Sequence, residues 1–122
     1  MSDQNAANKK FRKELNSGTV GLVLLGVLEH AKEPLYGYQI AKQVGSGGND
    51  VAMMKQGSLY PVLRSLEKHG LLMSTVEPSL AGPPRRYYQI TDEGRQTLEE
   101  WITIWRHNKG FVDAVLKGNY HV

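Results

Sequence analysis

In the stretch "GSLYPVLRSLEKHGLL" (57–72), Tyr60, Arg64 and Lys68 recur every fourth residue. At about 100° per residue this spacing sets them on one side of a helix, with Leu59, Val62, Leu63 and Leu66 on the other. A phenol, a guanidinium and an ammonium on one outward face form a set of donors. Arginine offers a planar fork to guanine edges or phosphate, lysine a point charge, and tyrosine a contact with phosphate or a thymine methyl. An amphipathic helix with a solvated side shows the same pattern, so this face alone does not decide the chemistry. Further on, "GPPRRYY" (82–88) places Arg85 and Arg86 where a projecting loop becomes a strand, positions suited to phosphates or an adjacent minor groove.

Other chemistries find less support. His30, His69 and His107 stand at no catalytic or metal-ligand spacing. "GSGG" (45–48) lacks the Lys-Ser/Thr that completes a phosphate loop. The chain has no cysteine, which excludes disulfides and thiolate metal sites. No catalytic residue, metal or cofactor is assigned, and an enzyme is not expected.

The elements that must carry the basic residues can be read in order. "MSDQNAANKK" (1–10) is polar without an apolar period and is expected to be a disordered arm. Residues 11–31 read as a helix with Leu15, Leu22, Leu25 and Leu28 toward one face, and "KEPL" (32–35) breaks it. A second short helix covers 36–44, followed by a flexible connector, "GSGGND" (45–50). "VAMMK" (51–55) fits no single element. In the third helix Ser58 is expected as the N-cap, Pro61 in the first turn where its missing N–H breaks no bond, and Gly70 as the left-handed stop. "LLMSTVE" (71–77) and "RRYYQIT" (85–91) read as strands joined by an irregular tip, "PSLAGPP". Thr91 caps a long last helix with Asp92 and Glu93 in its first turn. Its apolar stripe is Leu98, Trp101, Ile102, Trp105, Val112 and Leu116, and "HNKG" (107–110) is a candidate break.

Three helices, a hairpin and a long helix form a mainly α layout with a small β-hairpin, that of a winged helix-turn-helix with an appended helix. The expected division is an arm at 1–10, a DNA-binding domain at 11–91 and a dimerisation helix with tail at 92–122. At 122 residues and 13.6 kDa the chain supports one modest core. Its longest apolar run, "VGLVLLGVL" (20–28), is too short to span a bilayer and follows no export pattern, so a cytoplasmic location is expected. The net charge of +3 is uneven. Residues 1–91 hold eleven Lys/Arg against seven Asp/Glu, whereas residues 92–122 hold four against five. The excess cations thus lie in the part that bears the helix face and the hairpin, as contact with a polyanion requires. The first and last helices expose more apolar surface than a three-helix head can cover, which leads to a dimer through Leu22, Leu25, Leu98, Ile102, Val112 and Leu116. The same surface would suit a winged-helix protein–protein interaction module that does not bind DNA.

"LYGYQI" (35–40), "GSLYPVLRSLEKHGLL" (57–72), "RRYYQITDEG" (85–94) and "FVDAVLKG" (111–118) together resemble the PadR family of bacterial transcriptional regulators. The single helix after the hairpin is similar to the short branch of that family. The resemblance implies a homodimeric repressor on a palindromic operator in double-stranded DNA, released by a small, often aromatic or drug-like effector. It implies DNA contacts from Ser58, Tyr60 and Arg64 of the recognition helix, from Tyr36, and from Arg85 and Arg86 of the wing, and the face read from spacing adds Lys68. In multidrug-responsive members a tryptophan of the last helix lines an apolar pocket at the dimer centre. Trp105 occupies that position, with Trp101 one turn earlier.

Overall fold

The computed structural model describes residues 3–45 and 56–119. Helix α1 (Asp3–His30) leads through strand β1 (Leu35–Tyr36) into α2 (Gly37–Gly45). Helix α3 (Gln56–Lys68), strands β2 (Leu72–Ser79) and β3 (Gly82–Ile90), and helix α4 (Asp92–Lys117) follow. The sequence expectations for 46–55, in the glycine-rich connector and "VAMMK", lie outside the described residues.

A single core joins the first three helices to the sheet. Leu24 and Leu25 of α1, Ile40 of α2, Leu59 and Leu63 of α3, and Tyr88 of β3 are at most 2% exposed. Leucines on the inner faces of three helices exclude water from one another, and the alternation of β3 adds Tyr88 and Ile90 from the sheet. Strand order is β1-β3-β2, antiparallel throughout. The inner line of the hairpin runs Leu72 and Ile90, then Ser74 and Tyr88, then Val76 and Arg86, passing from apolar to polar toward the tip.

The junctions of α3 and α4 follow the sequence expectation closely. Gly70 ends α3 with φ of 80°. The Gly70 amide donates to the Glu67 carbonyl at 2.9 Å and the Leu71 amide to the Leu66 carbonyl at 3.0 Å, a paired closure that satisfies the last carbonyls of the helix. Thr91 caps α4. Its hydroxyl accepts from the Gly94 amide at 2.9 Å and donates to the Gly70 carbonyl at 2.7 Å, while its own amide donates to the Leu71 carbonyl at 3.1 Å.

Several expectations are corrected. Residues 3–10 are helical from Asp3 rather than a disordered arm. Ala, Lys and Gln propagate a helix readily once a buried segment downstream has nucleated it. Along α1 the fully buried side chains are Val20, Leu24, Leu25 and Leu28, while Leu15 is exposed. Helix α3 begins at Gln56, so Ser58 lies inside its first turn instead of capping it, and Pro61 lies in the second turn. The hairpin strands extend through Pro78 and through Pro83–Pro84, leaving only Leu80–Ala81 between them. A register shift between Glu77 and Ser79 accommodates the prolines beyond the end of β1, where fewer ladder bonds are required. Helix α4 runs unbroken through Gly110.

Two glycines of α4 have opposite surroundings. A Cβ at Gly110 would meet nothing within 4 Å, whereas one at Gly94 would collide with the Leu71 carbonyl oxygen and with Ile90. Gly110→Ala is expected to stabilise the fold by about 0.5–1 kcal/mol. Gly94→Ala should destabilise it by about 1–3 kcal/mol or more. Urea unfolding of both variants beside the wild type measures the two effects.

Candidate nucleic-acid interface

Helix α3 is fixed by Leu59, Leu63 and Leu66, which are 1%, 0% and 6% exposed. That anchoring turns Ser58, Pro61, Arg64, Ser65 and Lys68 to the outside. Tyr60 departs from the expected face. It is half-buried, and its ring lies against Gly37, where a Cβ would collide with it. Gly37 therefore permits the close approach of the start of α2 to α3, and Tyr60 fills the joint between them. The helical wheel failed at Tyr60 because an aromatic ring at the edge of a polar face can fold back into a neighbouring gap.

The start of α2 and the hairpin meet in an aromatic cluster. Tyr36 stacks on Tyr38 with centroids 6.5 Å apart and an interplanar angle of 22°. It meets Tyr87 edge-on at 5.4 Å. The Arg85 guanidinium sits 4.4 Å from the Tyr36 ring centroid, a cation–π geometry. Pairing of Tyr36 with Tyr87 across β1 and β3 brings these rings together. The Gln39 side chain accepts from the Tyr36 amide at 3.0 Å, which fixes the backbone as it enters α2.

Arg86 points the other way, because successive strand residues alternate faces. Its guanidinium donates to the Ser74 hydroxyl at 3.0 Å, and that hydroxyl donates to the Glu67 carboxylate of α3 at 2.7 Å. The two arginines of the wing therefore brace it against different elements, Arg85 against β1–α2 and Arg86 against α3. Both remain exposed. Burial holds the Tyr88 phenol above its ordinary range, and the nearby Arg86 guanidinium works against that rise.

The remaining site residues divide sharply. Trp101 is half-buried, its ring 3.3 Å from the Cβ position of Gly21, and Trp105 is 39% exposed. Both line an open cleft of about 780 Å³ between α1, α3 and α4. Leu22 and Ile102 are half-buried, whereas Val112 and Leu116 are exposed. Leu25 and Leu98 are 0% and 6% exposed in the single chain, so neither is free to face a second chain. They belong to the core because the helices turn those positions inward. Sequence reasoning missed Tyr38, Tyr87, Gln39, Ser74 and Glu67. The alternation that pairs Arg85 with Tyr87, and the glutamine three residues after Tyr36, were the signals available.

An outward-facing α3 supported by α1 and α2, with a two-stranded projection beside it, defines a winged helix-turn-helix protein. Residues 24–100 match the transcriptional regulator PadR-like family. A PadR family transcriptional regulator from Eggerthella lenta is 32% identical, with 93% of this chain and 95% of that chain covered and a TM-score of 0.80. A PadR-like transcriptional regulator from Bacillus cereus is 30% identical over 84% of this chain and 96% of that chain, with a TM-score of 0.69. Transcriptional regulator Rv3488 of Mycobacterium tuberculosis is 35% identical over 79 residues, 64% of this chain and 70% of that protein. The chain belongs to the PadR-like family of transcriptional regulators, a membership that implies DNA binding. Among the described residues no helix is long and apolar enough to cross a membrane.

The aromatic cluster generates a test. Tyr36→Phe keeps the ring beneath Arg85 and should leave stability nearly unchanged. Tyr36→Ala should cost about 1–3 kcal/mol as the ring packing and the cation–π pair disappear. In NMR spectra the ring-current shift of the Arg85 side-chain protons should persist in Tyr36→Phe and vanish in Tyr36→Ala.

Proposed function

We propose that the protein is a homodimeric repressor acting in the cytoplasm. It binds a palindromic operator through Ser58, Arg64 and Lys68 of α3, with Tyr36, Tyr60, Arg85 and Arg86 beside them. The observation that carries this reading is the joining of an outward, basic α3 to an arginine-bearing wing by the Glu67–Ser74–Arg86 contacts, with Tyr36–Arg85 holding the same wing to the start of α2. Of the seven residues, Tyr60 acts as a strut between α2 and α3 more than as a free contact. The dimer is supported by apolar side chains left open on the two terminal helices. Phe11, Leu15, Ile104, Phe111, Val112 and Leu116 are each at least 47% exposed. A small aromatic effector stacked at Trp105, beside Trp101, would then act between the two last helices and release the DNA.

A two-fold dimer presents its recognition helices on one face of the duplex, so half-sites should be centred about 10–10.5 base pairs apart. Arg64→Ala should weaken operator binding by about 1–3 kcal/mol and relax sequence preference, as read by fluorescence anisotropy with matched and mutated duplexes. Arg85→Ala and Arg86→Ala should weaken specific and non-specific binding alike and flatten the salt dependence. Full-strength, selective binding by Arg64→Ala would remove α3 from base recognition.

For the effector, planar cationic dyes and phenolic acids serve as probes. Tryptophan quenching and DNA release should survive Trp101→Phe and disappear in Trp105→Ala while light scattering still reports a dimer. Release that persists in Trp105→Ala places the ligand elsewhere.

A further inference from the structure

Helix α1 overshoots the head. Its first residue in the cleft beside α3 and α4 is Glu14, and residues 4–15 are all exposed. Residues 3–13 therefore form a spur of about 16 Å at 1.5 Å per residue. The spur carries Lys9, Lys10, Arg12 and Lys13, four cations within five residues. Among the described residues none of the four takes part in an ion pair.

The spur is two-sided. At about 100° per residue the four cations occupy one half of the circumference, and Phe11 and Leu15 the other. Lys13 falls on the line of Val20, Leu24 and Leu28, through which α1 packs on the core. Near that side the Cβ position of Gly21 lies 3.3 Å from the Trp101 ring of α4 and 3.9 Å from the Leu66 side chain of α3. The basic half thus continues the side of α1 that packs on the head, whereas Leu15 lies at the mouth of the cleft shared with α3 and α4. Opposed basic and apolar halves also suit an anionic membrane surface, but the chain's place in a family of DNA-binding regulators favours a nucleic acid as the polyanion. Four exposed cations without an ion pair among the described residues, projecting beyond a head whose family binds DNA, suit phosphates that flank the head's own contacts.

We propose that the α1 spur is a second, sequence-independent DNA contact that rests on phosphates flanking each half-site. The proposal rests on the DNA-binding reading above. Lys9, Lys10, Arg12 and Lys13 would supply affinity and salt sensitivity without contributing to base choice, because phosphate contacts carry no sequence information.

The experiment uses the full chain and a variant in which all four cations become glutamine, a residue of similar helix propensity. A duplex selected from a random pool by the wild type is compared with the same duplex lengthened by about ten base pairs of random sequence at each end. The wild type should bind the long duplex more tightly than the short one. The variant should lose that gain, binding the long duplex roughly tenfold more weakly. Its salt slope there should be smaller by about two or more, since each phosphate left unneutralised removes about 0.9 from the slope. Its affinity for the short duplex and its base preferences should be unchanged. Circular dichroism and light scattering establish that helicity and assembly are intact.

Equal behaviour of variant and wild type on the long duplex overturns the proposal. So does an equal weakening on both duplexes, which would place the cations inside the operator contact. Binding of phosphatidylserine vesicles that the substitutions abolish, with DNA binding unchanged, would assign the spur to a membrane instead. If the wild type enriches no sequence and binds no duplex, the DNA-binding reading itself fails.

Discussion

The Thr91 side chain holds together the point where three elements converge. It caps α4 by accepting from the Gly94 amide, and in the same place it donates to the carbonyl of Gly70, the residue that stops α3. The adjacent amide of Thr91 ties the end of β3 to Leu71 at the start of β2. One short polar residue therefore satisfies groups left open by a helix end, a strand end and a helix start. The backbone of α4 can come this close to Leu71 only because position 94 has no side chain. Leucine and isoleucine packing supplies the bulk of the burial, but this junction fixes the direction in which α4 leaves the head.

The sequence was most readable where structure is set locally. Gly70 and Thr91 announced a helix end and a helix start because a left-handed residue and a capping hydroxyl act on their immediate neighbours. Long-range pairing was less visible. Strand β1 is two residues long and exists because β3 lies beside it, so no local period could reveal it. The hairpin tip was misjudged for a related reason. Proline is poor in a ladder, yet Pro78, Pro83 and Pro84 lie where a register shift has already interrupted it.

For the candidate interface, sequence spacing placed the charges correctly and the rings poorly. Arg64 and Lys68 stand outward on α3 as spacing requires. Tyr60 and Tyr36 instead became packing pieces, because flat amphipathic rings gain by filling gaps while leaving a hydroxyl at the edge. Leu25 and Leu98 were assigned to an interface although both lie in the core. Apolar periodicity marks a buried side but does not distinguish burial by the same chain from burial by another. What remains uncovered once the core is filled, notably Phe111, Val112 and Leu116, is the surface on which the proposed dimer rests.

Helix α4 is a 26-residue shaft, about 39 Å long, rooted in the head near Thr91 and Leu98 and open to solvent along its far half. Such a shaft is a lever whose root is the stretch from Thr91 to Ile102 that packs on the head. A tilt of only about 10° over that length moves one end by about 7 Å relative to the other, roughly the rise of two base pairs at the 3.4 Å spacing of DNA. The Thr91 cap, the Arg95–Glu29 pair and the packing of Leu98, Trp101 and Ile102 together therefore set where the far end of the shaft stands relative to the head.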